Sequence, residues 1–189
     1  MSDLFIRNLN EHLSVFRTLD TLDGAVSEAG QLMAEALRSG HKLLFCGNGG
    51  SAADSQHLAS ELTGRFIKDR RPLAAVALST DSSALTCIGN DYAFDEVFAR
   101  QLVALGRAGD VLVAISTSGN SRNVIRAAQE ARGCGMQIIG LLGRDGGALA
   151  SMCDVSIVVP STVTARIQEA HILIGHTLCG WVEESLGLA

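Results

Sequence analysis

The sequence predicts a single α/β domain, residues 1–189, built on a five-stranded parallel sheet with helices on both faces. Five short apolar runs alternate with stretches of helical periodicity, the pattern of parallel strands connected through helices. Hydrophobic residues make up 47% of the chain but aromatic residues only 4%, which is typical of aliphatic strands buried between helical layers. We expect the strand order 2-1-3-4-5, in which strands 1 and 3 are neighbours.

The elements are predicted in order from apolar spacing. An N-terminal helical hairpin occupies residues 1–40 and packs either on the sheet or on another subunit. The core, residues 41–189, follows it. Strands are predicted at residues 42–46, 73–78, 111–115, 137–142 and 155–159. Helices are predicted after the first strand and at residues 82–88, 94–103, 121–132 and 164–186, with a short helix within 143–153.

Charge and composition exclude several classes of protein. The net charge of −5 and the lack of a basic stripe argue against nucleic-acid binding. The N-terminus has no uninterrupted apolar core of a signal peptide, and no apolar run reaches about 18 residues, so we expect neither export nor a membrane span. The five cysteines include no C-x-x-C pair. They are interpreted as small buried thiols of a cytoplasmic protein.

A glycine-rich loop follows the first strand and leads into a helix. Its residues are Gly47, Asn48, Gly49, Gly50 and Ser51. Glycines let the backbone turn sharply and approach a ligand, and Ser51 is a good helix N-cap. The N-terminus of a helix is a site for anions. The loop has neither the P-loop nor the dinucleotide-binding pattern, so a tight turn without a ligand remains the alternative.

Reactive side chains lie on the helix after this loop. His57 and Glu61 are four residues apart, hence on one face, and Asp54 lies on the same side. An ordinary polar helix face is the alternative interpretation. If the face is functional, it joins a carboxylate and an imidazole to the end of an anion-binding loop.

A second polar loop follows the third strand. It carries four hydroxyl residues before a predicted helix: Ser116, Thr117, Ser118 and Ser121. Hydroxyls and backbone N–H groups together favour an anion, although a hydroxyl-rich cap would look the same. Because strands 1 and 3 are neighbours at the point where the strand order reverses, the two loops should meet there, which favours a phosphorylated ligand.

The terminal helix carries His171 and His176. A separation of five residues places them about 140° apart around a helix, so both cannot face one site, and the spacing does not say which one does. For either histidine taken alone, a hydrogen-bonded interior or interface residue is the favoured interpretation. His12 and His41 belong to no such group and are expected at the surface.

Four segments, in order, resemble the bacterial phosphoheptose isomerase family of the sugar isomerase (SIS) class. They are GNGGSAADSQHLASEL, IGNDYAFDEVF, ISTSGNSRNV and RIQEAHILIGH. The resemblance extends from Leu43 to the terminal helix. It implies a flavodoxin-like SIS fold and a homotetramer. It also implies conversion of sedoheptulose 7-phosphate to D-glycero-D-manno-heptose 7-phosphate through an enediol, the first step toward ADP-heptose and the lipopolysaccharide core.

The resemblance also implies residue roles. Glu61 and His176 match the catalytic pair. The phosphate would be held by Ser116, Thr117, Ser118 and Ser121, and the sugar lined by Asn48, Gly49, Gly50, Ser51, Asn90, Asp91 and Gln168. In zinc-dependent members, the residues that match His57, Glu61, Gln168 and His176 bind the metal. Ala165 stands where some members carry an acidic residue, which weakens any sugar contact there.

Two alternatives belong to the same SIS class. One is the replication-initiator-associating factor, a tetramer without isomerase activity, which shares the STxGNSR and ARIQE segments. That factor lacks counterparts of Glu61 and His176, and this chain has both. The other is a sugar-phosphate-sensing module, which usually accompanies a DNA-binding domain for which we expect no room in this chain.

Overall fold

The computed structural model describes residues 3–189. The strands are β1 Leu43–Gly47, β2 Ala75–Ala77, β3 Val111–Ser116, β4 Gln137–Gly143 and β5 Val155–Val159. The α-helices are α1 Leu4–Phe16, α2 Asp23–Arg38, α3 Gly50–Thr63, α4 Ser82–Asp91, α5 Ala99–Leu105, α6 Arg122–Gly133, α7 Gly147–Ala150 and α8 Thr164–Ser185. Single turns of 3₁₀ helix lie at Leu19–Leu22 and Phe94–Glu96.

The five strands form one parallel sheet in the order β2-β1-β3-β4-β5. The predicted α/β class, the strand order and the N-terminal helix pair are therefore confirmed. Since parallel strands end at the same edge, the loops after β1 and β3 lie side by side at the switch point. That edge is where the predicted site residues of both loops are placed.

Alternate strand residues pack on opposite faces of the sheet. Phe45 and Ile115 face a core shared with α2, α3 and α8, whereas Leu44 and Leu112 face a core shared with α5 and α6. Every residue of β1 and β3 is buried. This double burial explains why these strands are continuous apolar runs rather than alternating patterns.

Three predicted boundaries differ from the structure. The edge strand β2 is shorter than predicted, because the N–H of Leu73 donates to Leu62 O at the end of α3 instead of joining the sheet. Helix α4 continues through Gly89 to Asp91, where a break was predicted. A glycine inside a helix costs only about 1 kcal/mol relative to alanine, so it does not end one by itself. The predicted helix 94–103 is divided into the 3₁₀ turn and α5.

Helix α1 packs on α8 but has no buried residue. Its exposed apolar side chains are Leu4, Phe5, Ile6, Leu9 and Leu13. No helix among residues 3–189 is long and apolar enough to cross a membrane.

Two interpretations of single residue types need correction. His12 and His41 are half-buried and have partners, since His12 Nδ1 lies 2.8 Å from Glu169 Oε2 and His41 Nδ1 lies 3.8 Å from Asp110 Oδ1. The five cysteines are free thiols, but only Cys46 and Cys179 are buried; Cys134 and Cys153 are half-buried and Cys87 is exposed. Spacing along the chain could not reveal these partners because they lie on distant segments.

Candidate active site

The loop after β1 is tight at two glycines. A Cβ on Gly47 would lie 2.7 Å from the Cβ of Ser51, and Gly49 has a φ of 54°, a conformation that side chains disfavour. Gly49 is the N-cap of α3 and Ser51 lies inside the helix, buried, so the prediction of Ser51 as N-cap is wrong. The reason is that the backbone turn at Gly49 already starts the helix without a side-chain cap.

The loop after β3 gathers the predicted hydroxyls. Ser116 Oγ and Ser121 Oγ lie 2.9 Å apart, and Ser118 Oγ accepts a 3.1 Å hydrogen bond from Asn120 N. Gly119, with a φ of 64°, packs so closely on the next loop that a Cβ would lie 1.9 Å from Gly146 O. The loop conformation therefore depends on glycine, and it holds the hydroxyls in a fixed arrangement.

A pair of amide side chains joins the two loops. Asn48 Nδ2 donates to Asn123 Oδ1 and Asn123 Nδ2 donates to Asn48 Oδ1, both at 2.8 Å. Asn123 is buried in the first turn of α6. Sequence reasoning missed Asn123, although an amide in the first turn after the hydroxyl loop is the signal that could have found it. The pair fixes the distance between the two candidate anion-binding loops.

His57, Glu61 and His176 form one cluster between α3 and α8. His57 Nε2 lies 2.9 Å from His176 Nε2 and 3.3 Å from Glu61 Oε1. The helices approach closely just beside it, since a Cβ on Gly175 would lie 2.6 Å from the side chain of Leu58. The structure thus brings together three of the four residues that the resemblance implied for a metal.

The cluster fits a metal ion by donor type and spacing. One ligand atom from each of the three side chains lies within 4.8 Å of the other two. Zinc takes imidazole nitrogen and carboxylate oxygen at about 2.0–2.2 Å in a tetrahedral arrangement. Ligand atoms at that distance are about 3.3 Å from one another by tetrahedral geometry, close to the spacings of His57 to His176 and to Glu61.

Gln168 is placed at the other end of the same helix pair. A Cβ on Gly50 would lie 2.4 Å from Gln168 Nε2, so this amide rests on the first turn of α3, at the glycine-rich loop. His57 and His176 lie about two turns further along their helices. Gln168 therefore contacts the loop, and its role as a fourth metal ligand stays a prediction.

Asp54 lies beside the cluster, one turn before His57. Its Oδ2 atom is buried and has no hydrogen-bond partner among the described residues. Burial raises the pKa of this carboxyl, and the nearby rings of His57 and His176 partly oppose the rise. The side chain adds a second acidic group to the same helix face, as the sequence indicated.

His171 is the interior histidine of α8, and His176 is the one at the site. The His171 ring is fully buried and its Nε2 donates to Leu142 O at 2.9 Å. Burial lowers the pKa of His171 to about 4, opposed in part by this hydrogen bond. His171 is therefore a neutral side chain that joins α8 to β4.

Asn90 and Asp91 lie at the exposed end of α4. Asn90 Nδ2 donates to Asp91 Oδ1 at 2.8 Å, and this hydrogen bond, with one from the Cys87 thiol, lowers the pKa of Asp91. The following segment is tied to the start of α6 by the 2.9 Å ion pair of Asp95 and Arg122. The contact of Asn90 and Asp91 with a sugar stays a prediction.

Two polar loops at the switch point of a parallel sheet, with a carboxylate and two imidazoles further along the adjoining helices, form the candidate active site of an α/β domain, and the comparisons with known proteins place this domain in the sugar isomerase class. The SIS domain family matches residues 5–143. The phosphoheptose isomerase of Rhodospirillum rubrum is 57% identical over 162 residues, 86% of each chain. That of Helicobacter hepaticus is 51% identical over 187 residues, 99% of this chain and 95% of its own.

Solved structures agree with the sequence comparisons. The phosphoheptose isomerase of Neisseria gonorrhoeae matches with a TM-score of 0.92 at 49% identity, over 96% of this chain and 98% of its own. That of Francisella tularensis matches with a TM-score of 0.93 at 38% identity, over 97% of this chain and 100% of its own. The chain belongs to the SIS domain family and, within it, to the phosphoheptose isomerases.

Proposed function

We propose that the chain converts sedoheptulose 7-phosphate to D-glycero-D-manno-heptose 7-phosphate, the first step toward ADP-heptose and the lipopolysaccharide core. The observation that carries the proposal is the cluster of Glu61, His57 and His176, about two helical turns beyond the loop that is joined to the hydroxyl loop. The names and high identities of the relatives support the same activity.

The net reaction moves one proton from C1 to C2 and one from O1 to O2, in four transfer steps. A base removes a proton from C1, the C–H electron pair becomes the C1=C2 bond of an enediol, and the C2 oxygen takes up a proton. The O1 proton then leaves, the C1 carbonyl forms, and C2 takes a proton to give the aldose. We assign these transfers to the Glu61 carboxylate and the His176 imidazole, because groups of these types within reach of one reacting centre suit general acid–base catalysis.

The phosphate does not react and serves to hold the sugar. We assign it to the loop after β3, where Ser116 and Ser121 already share a hydrogen bond and where Ser118 and Thr117 add hydroxyls. The first turn of α6 lies directly behind this loop, and its N-terminus favours negative charge. Sugar hydroxyls would then extend past Gly50 and Gln168 toward the cluster.

Zinc is proposed as the metal of the cluster, one ion per subunit. His57, Glu61 and His176 would hold it, and Gln168 is the proposed fourth ligand. When bound, zinc supplies a Lewis acid that polarises a carbonyl. Glu61 as a ligand is less available as a base, so its two proposed roles compete.

We also propose a cytoplasmic homotetramer. The apolar side chains of α1 and Leu173 of α8 are exposed, and a second copy would cover them. Closed two-fold symmetry generates a tetramer from such surfaces. Five free cysteines are consistent with a reducing compartment. Light scattering of the active protein at micromolar concentration tests the assembly, and an active monomer would contradict it.

The activity is tested by incubating the purified protein with sedoheptulose 7-phosphate and detecting the aldose product. Sedoheptulose without phosphate is the control and should be a very poor substrate. Binding of the phosphorylated sugar without turnover would favour the alternative of a non-catalytic SIS protein.

A further inference from the structure

We propose that Phe66 is a positioning residue for His176, held in place by the buried ion pair of Arg70 and Glu183. The proposal rests on the proposed function, in which His176 transfers protons. The Phe66 ring stacks on the His176 ring with centroids 5.5 Å apart and an interplanar angle of 26°. His57 meets the same imidazole edge-on, at 5.1 Å and 65°. Two rings in different orientations thus define the plane of His176.

Phe66 lies in the loop after α3, and Glu183 of α8 fixes its backbone. Glu183 Oε1 accepts hydrogen bonds from Phe66 N at 3.0 Å and from Arg70 Nε at 2.8 Å, and its Oε2 accepts from Ile67 N at 3.3 Å. Burial alone would raise the pKa of Glu183, but these donors outweigh it and lower the pKa. The carboxylate therefore stays charged and keeps its three donors.

Arg70 carries the same constraint to the helix that bears Glu61. Its guanidinium donates to Glu61 O at 2.8 Å, to Leu62 O at 2.7 Å and to Gly64 O at 3.0 Å. These are carbonyls of the last turn of α3 and the residue after it, which lack helical partners. The Arg70 guanidinium thus caps the turn that contains Glu61, and it also pairs with Glu183, the carboxylate that fixes the backbone of Phe66.

The arrangement places both proposed proton-transfer groups under one constraint. The side chains of Arg70 and Glu183 are 2% and 0% exposed. A buried ion pair is weak support for stability, because desolvation offsets much of the attraction. Its better use is to fix one geometry, and here that geometry is the relative position of Glu61 on α3 and His176 on α8.

The test compares Phe66→Leu with Phe66→Tyr in the full-length protein. Leucine fills similar space without a ring, whereas tyrosine keeps the ring. We expect Phe66→Leu to lower kcat about 10-fold or more with KM within about two-fold, since small misplacements of reacting groups reduce rate more than binding. Phe66→Tyr should restore most of the rate. Phe16→Leu is the matched control, because Phe16 stacks on His12, 3.7 Å between centroids, and His12 is not a member of the His57, Glu61 and His176 cluster.

A second readout does not depend on activity. A stacked aromatic ring shifts the resonances of the His176 ring protons, so NMR of histidine-labelled protein should show them move in Phe66→Leu but return toward the wild-type position in Phe66→Tyr. In a double-mutant cycle, Glu183→Gln and Phe66→Leu should be non-additive in kcat, because both act through the His176 ring.

A wild-type protein without isomerase activity would refute the proposed function, and the NMR shift would still test the stacking. Unchanged His176 resonances and an unchanged kcat in Phe66→Leu would overturn the positioning role.

Discussion

Asn48 and Asn123 exchange two side-chain hydrogen bonds of 2.8 Å and so join the loop after β1 to the first turn of α6. The two amides come from segments that are separated by 75 residues. Each satisfies the donor and the acceptor of the other, in the way that pairs of buried amides do. The glycine-rich loop and the hydroxyl loop are therefore one structural unit.

The first prediction concerns this amide pair. Asn123→Ala should lower the free energy of unfolding by about 1–3 kcal/mol, because it leaves the Asn48 amide partly buried and unpaired. It should also lower kcat/KM, since the two loops lose their connection. Urea unfolding and initial rates measure the two effects. Asn8→Ala, an exposed amide in α1, is the control and should change stability by less than about 0.5 kcal/mol. Equal effects of the two variants would contradict the proposed link.

The second prediction concerns phosphate. Ser118→Ala and Ser121→Ala should raise KM by about 10- to 100-fold, the range for losing a hydrogen bond to a charged group, while kcat changes little. Steady-state kinetics with the phosphorylated sugar measures both constants. Ser151→Ala, an exposed serine at the end of α7, should leave both unchanged. Variants with the wild-type KM would show that the phosphate binds elsewhere.

The third prediction concerns pH. The pKa of His171 is lowered to about 4 in the folded protein and is near 6.5 when unfolded. As the pH falls, the unfolded chain therefore binds a proton on His171 at a higher pH than the folded protein does. The contribution of neutral His171 to the free energy of unfolding is complete above pH 6.5 and is lost as the pH falls toward 4. At pH 4.5 the loss is about 2–3 kcal/mol.

His171→Gln is the matched variant, because a glutamine amide also donates to Leu142 O but does not titrate. We expect the stability difference between wild type and His171→Gln to move by about 2–3 kcal/mol in favour of the variant between pH 7.5 and pH 4.5. Urea unfolding at a fixed protein concentration measures it. A difference independent of pH would refute the neutral, buried state of His171.

The fourth prediction concerns the metal. A chelator should lower activity, zinc should restore it, and elemental analysis should find zinc in the untreated protein. His57→Ala should lose zinc affinity far more than affinity for the phosphorylated sugar, because His57 lies about two turns from the loop. Titration calorimetry with zinc alone measures the zinc affinity. His41→Ala is the control variant, since His41 lies outside the cluster. Full activity after exhaustive chelation, without bound metal, would favour the alternative that His57 only orients Glu61.

The sheet and its site edge could be predicted because their signals are local. β1 and β3 are continuous apolar runs, and each ends in polar or glycine residues at the same edge. The pairing of His57 with Glu61 follows from helical spacing alone. The spacing of residues along α8 could not show whether His171 or His176 lies at the site, because that depends on which side of the helix packs on α3.

The remaining features depend on contacts between distant segments. Phe66 and Arg70 carry no local signal for the partners that they meet on α8. Asn123 has a local signal as an amide after the hydroxyl loop, but its partner Asn48 lies on a distant segment. The partner of His12 lies on α8, 157 residues away. Helix α4 continued through Gly89 because one unfavourable residue is outweighed by the hydrogen bonds on either side of it. Such features follow from packing, which periodicity does not describe.

The most direct test of the account is the rate of conversion of sedoheptulose 7-phosphate by wild type, Glu61→Gln and His176→Gln. Each substitution keeps a side chain of similar size but removes its ability to exchange a proton at neutral pH. The account predicts that wild type forms the aldose and that each variant, with an unchanged circular dichroism spectrum, turns over about 10²–10⁴-fold more slowly. Wild-type rates in both variants would contradict it.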